Sequence, residues 1–141
     1  MTTSLNKQFP AARRPLILTE DDDGAKIVQV HLAGGDFAKV FADDFTKLMA
    51  LGLSPNWFLN DNGGDRVYVR THMPLEKGWT GNIITVARFI RPVPLRGLIV
   101  RHLDGRPLNL RRDNLFVSER RSRAKAREWS IVNGQCIALS A

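Results

Sequence analysis

The chain has 141 residues, an apolar content of 43% and a formal net charge of +7, which are typical of one soluble domain with a modest buried core. It contains one cysteine, so an internal disulfide framework and a zinc site built from several thiolates are both excluded. No apolar run approaches the roughly 18 residues of a membrane-spanning helix, and the first residues lack the apolar core of a secretory signal. We therefore expect a cytoplasmic protein that does not contact membranes.

The first 24 residues are polar and are interrupted by Pro10 and Pro15. This composition predicts a flexible N-terminal arm over residues 1–24. The arm ends in an acidic run at residues 20–23. We interpret this run as a solvated spacer rather than a metal site, because consecutive carboxylates point in different directions.

Residues 25–82 are predicted to form a mostly β N-terminal subdomain. The segment AKIVQVHLAGGDFAKVF alternates around its Gly-Gly pair, which predicts an antiparallel hairpin. ADDFTKLMALGL predicts a short helix with Asp43 or Asp44 as its N-cap and Gly52 at its end. NWFLN and RVYVRTH, on either side of DNGGD, predict a second hairpin with Trp57 among its core residues.

Residues 83–129 are predicted to form a second module, and residues 130–141 a C-terminal strand or tail. NIITVARFIRPV has the spacing of a short amphipathic helix that ends before its proline. LRGLIVRHL predicts a strand, DGRP a turn and NLFV another strand, and SERRSRAKAREW predicts a helix with Ser118 as its N-cap. The expected fold class is α+β, with antiparallel hairpins and short helices first and a ββα hairpin-helix module after them.

The positive charge is concentrated in one part of the chain. Residues 88–128 contain twelve Lys or Arg, eleven of them Arg, against four Asp or Glu, a balance of +8, whereas the remainder carries nine basic and ten acidic residues, a balance of −1. A guanidinium group pairs with phosphate through two parallel hydrogen bonds. An Arg-rich segment interleaved with apolar residues therefore favours contact with nucleic acid over a merely solvated surface.

Within this segment, VRHLDGRPLNLRRDNL resembles the motif of the HNH endonucleases. The matching residues are His102, Asp104, Gly105, Leu108, Arg111, Arg112, Asn114 and Leu115. The order of elements upstream is similar to that of small phage and bacterial HNH proteins, so the resemblance spans roughly residues 25–127. It implies a ββα fold that holds one divalent metal ion, with His102 as the general base on water and Asn114 steadying the loop and the histidine.

The positions that hold the metal in this family are occupied by arginine in this chain. Arg101 precedes His102, and Arg123 falls at the ligand position of the following helix. Arginine has no lone pair to offer a metal, and one guanidinium about 4 Å from a dication costs on the order of 8 kcal/mol before screening at an effective dielectric of about 20. We therefore predict no metal and no cofactor, and a catalytically inactive scaffold that binds double-stranded DNA. The predicted nucleic-acid-binding residues are Arg88, Arg101, Arg106, Arg111, Arg112, Arg120, Arg121, Arg123, Lys125 and Arg127.

Two alternatives stay open. In the first, the chain is an active nickase or endonuclease, with His102 as the base and Mg²⁺ or another divalent ion held by Asp104 or Asp113. In the second, it is a phage protein that binds an acidic protein or RNA as an inhibitor or assembly factor. An alternative to a chemical role for His102 and Asn114 is that they form a hydrogen-bonded pair with a structural role. If the protein is encoded by a phage, its place is the cytoplasm of the bacterial host.

Overall fold

The computed structural model describes residues 2–61, 67–73, 82–93, 97–119, 128–132 and 135–138. Within these residues the chain combines three small antiparallel sheets with two short α-helices. The predicted α+β class is therefore confirmed. No helix among the described residues is long and apolar enough to cross a lipid bilayer.

The first sheet begins near the N-terminus and has the strand order β1-β2-β3-β4. Its strands are β1 (Thr3–Ser4), β2 (Leu16–Glu20), β3 (Lys26–His31) and β4 (Phe37–Phe41), each antiparallel to its neighbour. The hairpin predicted after residue 25 is confirmed as β3–β4. Its turn contains Gly34 and Gly35 at φ values of +98° and +99°, a left-handed conformation that glycine adopts without steric cost.

The prediction of a flexible arm over residues 1–24 is wrong. β2 pairs with β3 along its whole length, and Leu16 is only 1% exposed. The segment before β2 is tied down as well, because the Asn6 side chain donates to the Arg14 carbonyl (3.0 Å) and accepts from the Leu16 amide (2.9 Å). The Asp-Gly pair in the turn between β2 and β3 is the sequence feature that favours this hairpin.

Helix α1 (Ala42–Ala50) follows β4 directly and buries one face, as predicted. Its N-cap residue is Phe41, and no side chain caps it, so the prediction of Asp43 or Asp44 in that role is wrong. The Asp44 side chain is turned inward, where it forms an ion pair described below. The helix is followed by Gly52 at φ +93°, in agreement with the predicted C-terminal glycine.

The second sheet confirms the second hairpin. Its strands are β5 (Phe58–Asp61), β6 (Val67–Met73) and β7 (Asn82–Thr85), in that order. Trp57, just before β5, is fully buried, as predicted. Residues 62–66, which contain most of the predicted turn, lie outside the described residues.

The helix predicted from NIITVARFIRPV is correct only in its second half. Its first four residues form β7, because the free edge of β6 pairs with them, and only then does helix α2 (Val86–Ile90) begin. Ile83, placed by the helical spacing on the buried face, is 47% exposed in the strand. Pairing with β6 therefore determines the structure of these four residues, although the spacing of their apolar side chains favours a helix.

The third sheet has the order β11-β10-β9-β8 and contains the motif segment at its edge. Its strands are β8 (Leu98–His102), β9 (Leu115–Glu119), β10 (Glu128–Val132) and β11 (Gln135–Ala138). A single 3₁₀ turn (Arg112–Asn114) precedes β9. The two strands predicted around DGRP and the predicted C-terminal strand are thus present.

The ββα module is not confirmed. Ser118, predicted as a helix N-cap, lies fully buried inside β9, where it pairs with Ile99 on one side and Glu128 on the other. Glu128 and Trp129, predicted as the end of the same helix, lie in β10. The remainder of that predicted helix, residues 120–127, is outside the described residues.

The buried side chains form one cluster that crosses the predicted subdomain boundary. Phe45 and Trp57 from the first half pack in the same cluster as Val100 and Leu115 from the second. The backbone joins the halves too, because the Lys39 amide donates to the Leu108 carbonyl (2.9 Å) and the Leu110 amide donates to the Lys39 carbonyl (2.8 Å). The motif segment is therefore held on the common core at both of its ends.

Candidate nucleic-acid interface

The loop between β8 and β9, residues 103–114, is organised by Asn114. The buried Asn114 amide donates to Asp104 Oδ1 (2.9 Å) and to the Asn109 carbonyl (3.0 Å), and its oxygen accepts from the Asp104 amide (3.2 Å). This is the loop-steadying role that the HNH resemblance implies. No hydrogen bond joins Asn114 to His102, so the two do not form the structural pair considered above.

The Asp104 carboxylate is engaged within the same loop. Besides Asn114, it accepts hydrogen bonds from the Arg106 amide (2.9 Å) and the Asn109 side chain (2.9 Å). Desolvation alone raises the pKa of Asp104, but these hydrogen bonds outweigh it and lower the pKa below its ordinary value. A metal ion could use this carboxylate only at the expense of the loop.

His102 ends β8 and is half-buried. Its Nε2 is buried and has no hydrogen-bond partner among the described residues. Burial lowers the pKa of His102, and the nearby Asp104 carboxylate opposes this only in part. The imidazole is therefore neutral near pH 7, and no described side chain orients it.

An open cleft of about 630 Å³ lies beside β8. It is lined by Val67, Tyr68, Ile99, Val100, Arg101, His102, Leu103, Gly105, Pro107 and Phe116. Arg101 borders this cleft, and its guanidinium makes no hydrogen bond or ion pair with any described residue. The cleft thus combines an uncompensated cation with an aromatic and aliphatic wall.

Arg111, which is predicted to track a phosphate backbone, occupies a very different environment. Its guanidinium lies 2.7 Å from carboxylate oxygens of Asp21, Asp23 and Asp113, and 4.7 Å from the centre of the Phe41 ring. Only 12% of the side chain is exposed. The three carboxylates raise the pKa of Arg111 above its ordinary value.

The acidic run is the other half of this cluster, so its interpretation as a solvated spacer is wrong. Asp21 accepts from Arg111 and also from Lys39 Nζ (3.0 Å). Hydrogen bonding to Arg111 lowers the pKa of Asp23 to about 2. For Asp21, desolvation raises the pKa, but the bonds from Arg111 and Lys39 outweigh it. Arg111, Asp21, Asp23, Asp113 and Lys39 are called the Arg111 cluster below.

Arg112 is also paired internally. Its Nη1 lies 3.1 Å from Asp44 Oδ1, and the Asp44 side chain is only 7% exposed, whereas that of Arg112 is 42% exposed. The second oxygen of Asp44 is buried and has no hydrogen-bond partner in the part of the chain that the structure describes. Burial raises the pKa of Asp44, and Arg112 opposes this only partly. Arg112 therefore compensates a buried charge, and its predicted contact with phosphate stays a prediction.

The remaining predicted contact residues divide into two groups. Arg88 on α2 and Arg106 in the loop are exposed, and neither forms an ion pair with a described residue. Arg120, Arg121, Arg123, Lys125 and Arg127 lie outside the described residues. The strand register places Glu119, just before that segment, beside Leu98, at the opposite end of β8 from His102.

The donor groups near His102 do not fit a divalent metal ion. Asp104 accepts three hydrogen bonds within the loop, Asp113 is bound to Arg111, and Arg101 brings a positive charge to the cleft. Among the described residues, no group of three or more His, Cys, Asp or Glu side chains is arranged to hold a metal.

Comparisons with protein-family models, with curated proteins and with solved structures each find no match. The likeness to HNH endonucleases therefore depends on the motif residues themselves and stays a prediction.

Proposed function

We propose that this chain binds nucleic acid, with double-stranded DNA as its partner, and does not cut it. The observation that carries the proposal is Arg101, an arginine without an ion-pair partner among the described residues, on the wall of an open cleft. A free guanidinium in such a position can form a bidentate, charge-assisted pair with a phosphate. Arg111 and Arg112 are not counted as contacts, because their charges are already compensated.

Further positive charge in the chain supports the same proposal. Arg88 and Arg106 are exposed, and the sequence from residue 120 to 127 contributes five Lys or Arg in eight positions. Contacts of this kind hold the phosphate backbone and carry little sequence information. We therefore propose binding that is strong at low salt and weakly selective for sequence.

Two features of the site favour binding over hydrolysis. An effective general base is normally held by a third group, but no described residue hydrogen-bonds the His102 imidazole. The carboxylates of Asp104 and Asp113, which the active alternative needs as ligands, are engaged in the loop and in the Arg111 cluster. We therefore propose an HNH-like protein that has lost catalysis.

Binding is tested by fluorescence anisotropy with a 20-base-pair duplex between 50 and 300 mM salt. If about six phosphates are neutralised, the logarithm of the association constant falls with that of the salt concentration with a slope near −5. Arg101→Ala is expected to weaken binding several-fold and to reduce the slope by about 1. Arg13→Ala, at an exposed arginine outside the cleft, is the matched control. Binding that is undetectable or independent of salt contradicts the proposal.

The absence of cleavage is tested separately with supercoiled plasmid in Mg²⁺ or Mn²⁺. The plasmid is expected to stay intact. Nicking by the wild-type protein that disappears in His102→Ala contradicts the non-catalytic part of the proposal and favours the metal-dependent nuclease.

The acidic-protein alternative is tested by affinity capture before and after nuclease treatment. Captured protein partners are expected to be lost after treatment, because the nucleic acid that bridges them to this protein is removed. An acidic protein that is retained after treatment, together with an absence of duplex binding, favours the alternative.

A further inference from the structure

The cleft beside β8 has aromatic walls on two sides. Tyr68 comes from β6 of the second sheet, and Phe116 comes from β9 of the third. Both side chains are half-buried, so part of each is accessible from the cleft. Aromatic side chains placed in this way are the groups on which proteins stack single nucleobases.

Arg101 lies on the same wall as Phe116. The two are directly opposed in the antiparallel register of β8 and β9, and opposed residues project from the same face of a sheet. A cation and an aromatic surface are therefore next to each other, without a carboxylate that pairs with Arg101 among the described residues. One nucleotide offers the complementary pair of groups, a phosphate for the guanidinium and a base for the ring.

From this arrangement we infer that the cleft receives one unpaired base of the bound nucleic acid, stacked against Tyr68 and Phe116, with its phosphate on Arg101. The inference rests on the proposed function and adds the substrate class, which is DNA that contains an unpaired nucleotide. The volume of about 630 Å³ lies within the roughly 300–1,000 Å³ of small-ligand pockets. A base inside a perfect duplex is stacked on its neighbours, so it cannot enter the cleft unless it leaves the helix.

The test compares two duplexes that differ by one nucleotide. Anisotropy measures the affinity for a perfect 20-base-pair duplex and for the same duplex with one extra, unpaired thymidine at its centre. The bulged duplex is expected to bind about fivefold tighter or more, the gain of stacking one base. An excess of thymidine monophosphate is expected to weaken binding of the bulged duplex more than that of the perfect duplex, so that this preference is reduced.

Variants separate the cleft from other causes of tighter binding, such as the bend that a bulge introduces. Tyr68→Ala is expected to bring the ratio of the two affinities close to one, and Tyr68→Phe to retain it. Ile83→Ala, at an exposed apolar residue that does not line the cleft, is the matched control and is expected to retain it. Thermal unfolding checks that each variant is folded.

The possible outcomes are distinguishable. Equal affinity of the wild-type protein for the two duplexes, or an unchanged preference in a folded Tyr68→Ala variant, overturns the inference and leaves the proposed function standing. An absence of binding to both duplexes overturns the inference and the proposed function together. If Tyr68→Ala does not fold, the competition with thymidine monophosphate decides, and a preference that resists the competitor overturns the inference.

Discussion

Arg101 and Arg111 stand ten positions apart in the same Arg-rich segment, yet the fold uses them in opposite ways. Arg111 is surrounded by three carboxylates and the Phe41 ring, and most of its surface is buried. Arg101 borders an open cleft and makes no ion pair with any described residue. The density of arginine in the sequence is the same around both.

The difference shows that local charge density does not identify a binding surface. A guanidinium that already has carboxylate partners gains little from a phosphate, since those partners must first be given up and the acid repels the new anion. What matters is which arginines the fold leaves without a partner. In this protein that distinction separates residues that hold the first and third sheets together from residues that are available to a ligand.

The largest expected effect is the loss of stability when the Arg111 side chain is removed. Arg111→Ala is expected to lower the free energy of unfolding by about 2–3 kcal/mol, because the Asp21 carboxylate and the Phe41 ring both lose the guanidinium that contacts them. Arg101→Ala is expected to change it by less than about 0.5 kcal/mol and to weaken DNA binding instead. Urea unfolding and anisotropy on both variants check this crossed pattern. Equal losses of stability would contradict it.

The next effect concerns the loop that connects the two arginines. Asn114→Ala removes three side-chain hydrogen bonds and leaves buried polar groups without partners, so we expect a loss of about 2 kcal/mol in the free energy of unfolding. Asn109→Ala, which removes two side-chain hydrogen bonds, one to the exposed Asp104 and one from the Arg111 amide, is the milder control. A stable Asn114→Ala variant would show that the amide does not hold the loop.

A third prediction sharpens the role of Arg112. Arg112→Ala leaves the buried Asp44 charge uncompensated, and we expect a loss of about 1–2 kcal/mol, less than for a fully buried pair because Arg112 is partly exposed. Asp44→Asn in the same chain is expected to restore most of that loss, since the amide carries no charge. A double-mutant cycle in urea measures the coupling. Additive effects of the two substitutions would contradict the pairing.

The smallest effect is a pH dependence from His102. Because its pKa is lowered in the folded state, the folded protein binds a proton less readily than the unfolded chain. Stability is therefore expected to fall as the pH drops below about 6.5, the ordinary histidine value, and to level off below the folded pKa. His102→Gln removes this part of the decline between pH 7.5 and 5, whereas His72→Gln at an exposed histidine leaves it. Identical profiles for both variants would refute the assignment.

Several elements were predictable because their causes are local. The alternation of residues 26–41 and the Gly34-Gly35 pair are sufficient for the β3–β4 hairpin, and the apolar spacing after Phe41 is sufficient for α1. The motif also indicated correctly that Asn114 belongs to the loop it closes. In each case the interacting residues belong to one short segment and are at most 14 positions apart, so the sequence displays both partners together.

The errors have long-range causes. Asp21 and Arg111 are 90 positions apart, and no local pattern indicates that an acidic turn and an arginine will meet. The composition of residues 118–129 favours a helix, but Ser118 and Glu119 continue a strand because β8 lies beside them and pairs with them. Which arginines of the segment have carboxylate partners among the described residues likewise depends on the fold and could not be predicted from the sequence.

The separation between the acidic turn and Arg111 also orders the folding of this chain. The β2–β3 and β3–β4 hairpins join neighbours and close early, since short loops cost little conformational entropy. Among the residues that the structure describes, Asp21 has only Lys39 as a counterion on that sheet until residue 111 has left the ribosome. A nascent chain therefore carries a negative turn for most of its synthesis, and the ion pairs of that turn with Arg111 form only when the far end of the motif arrives.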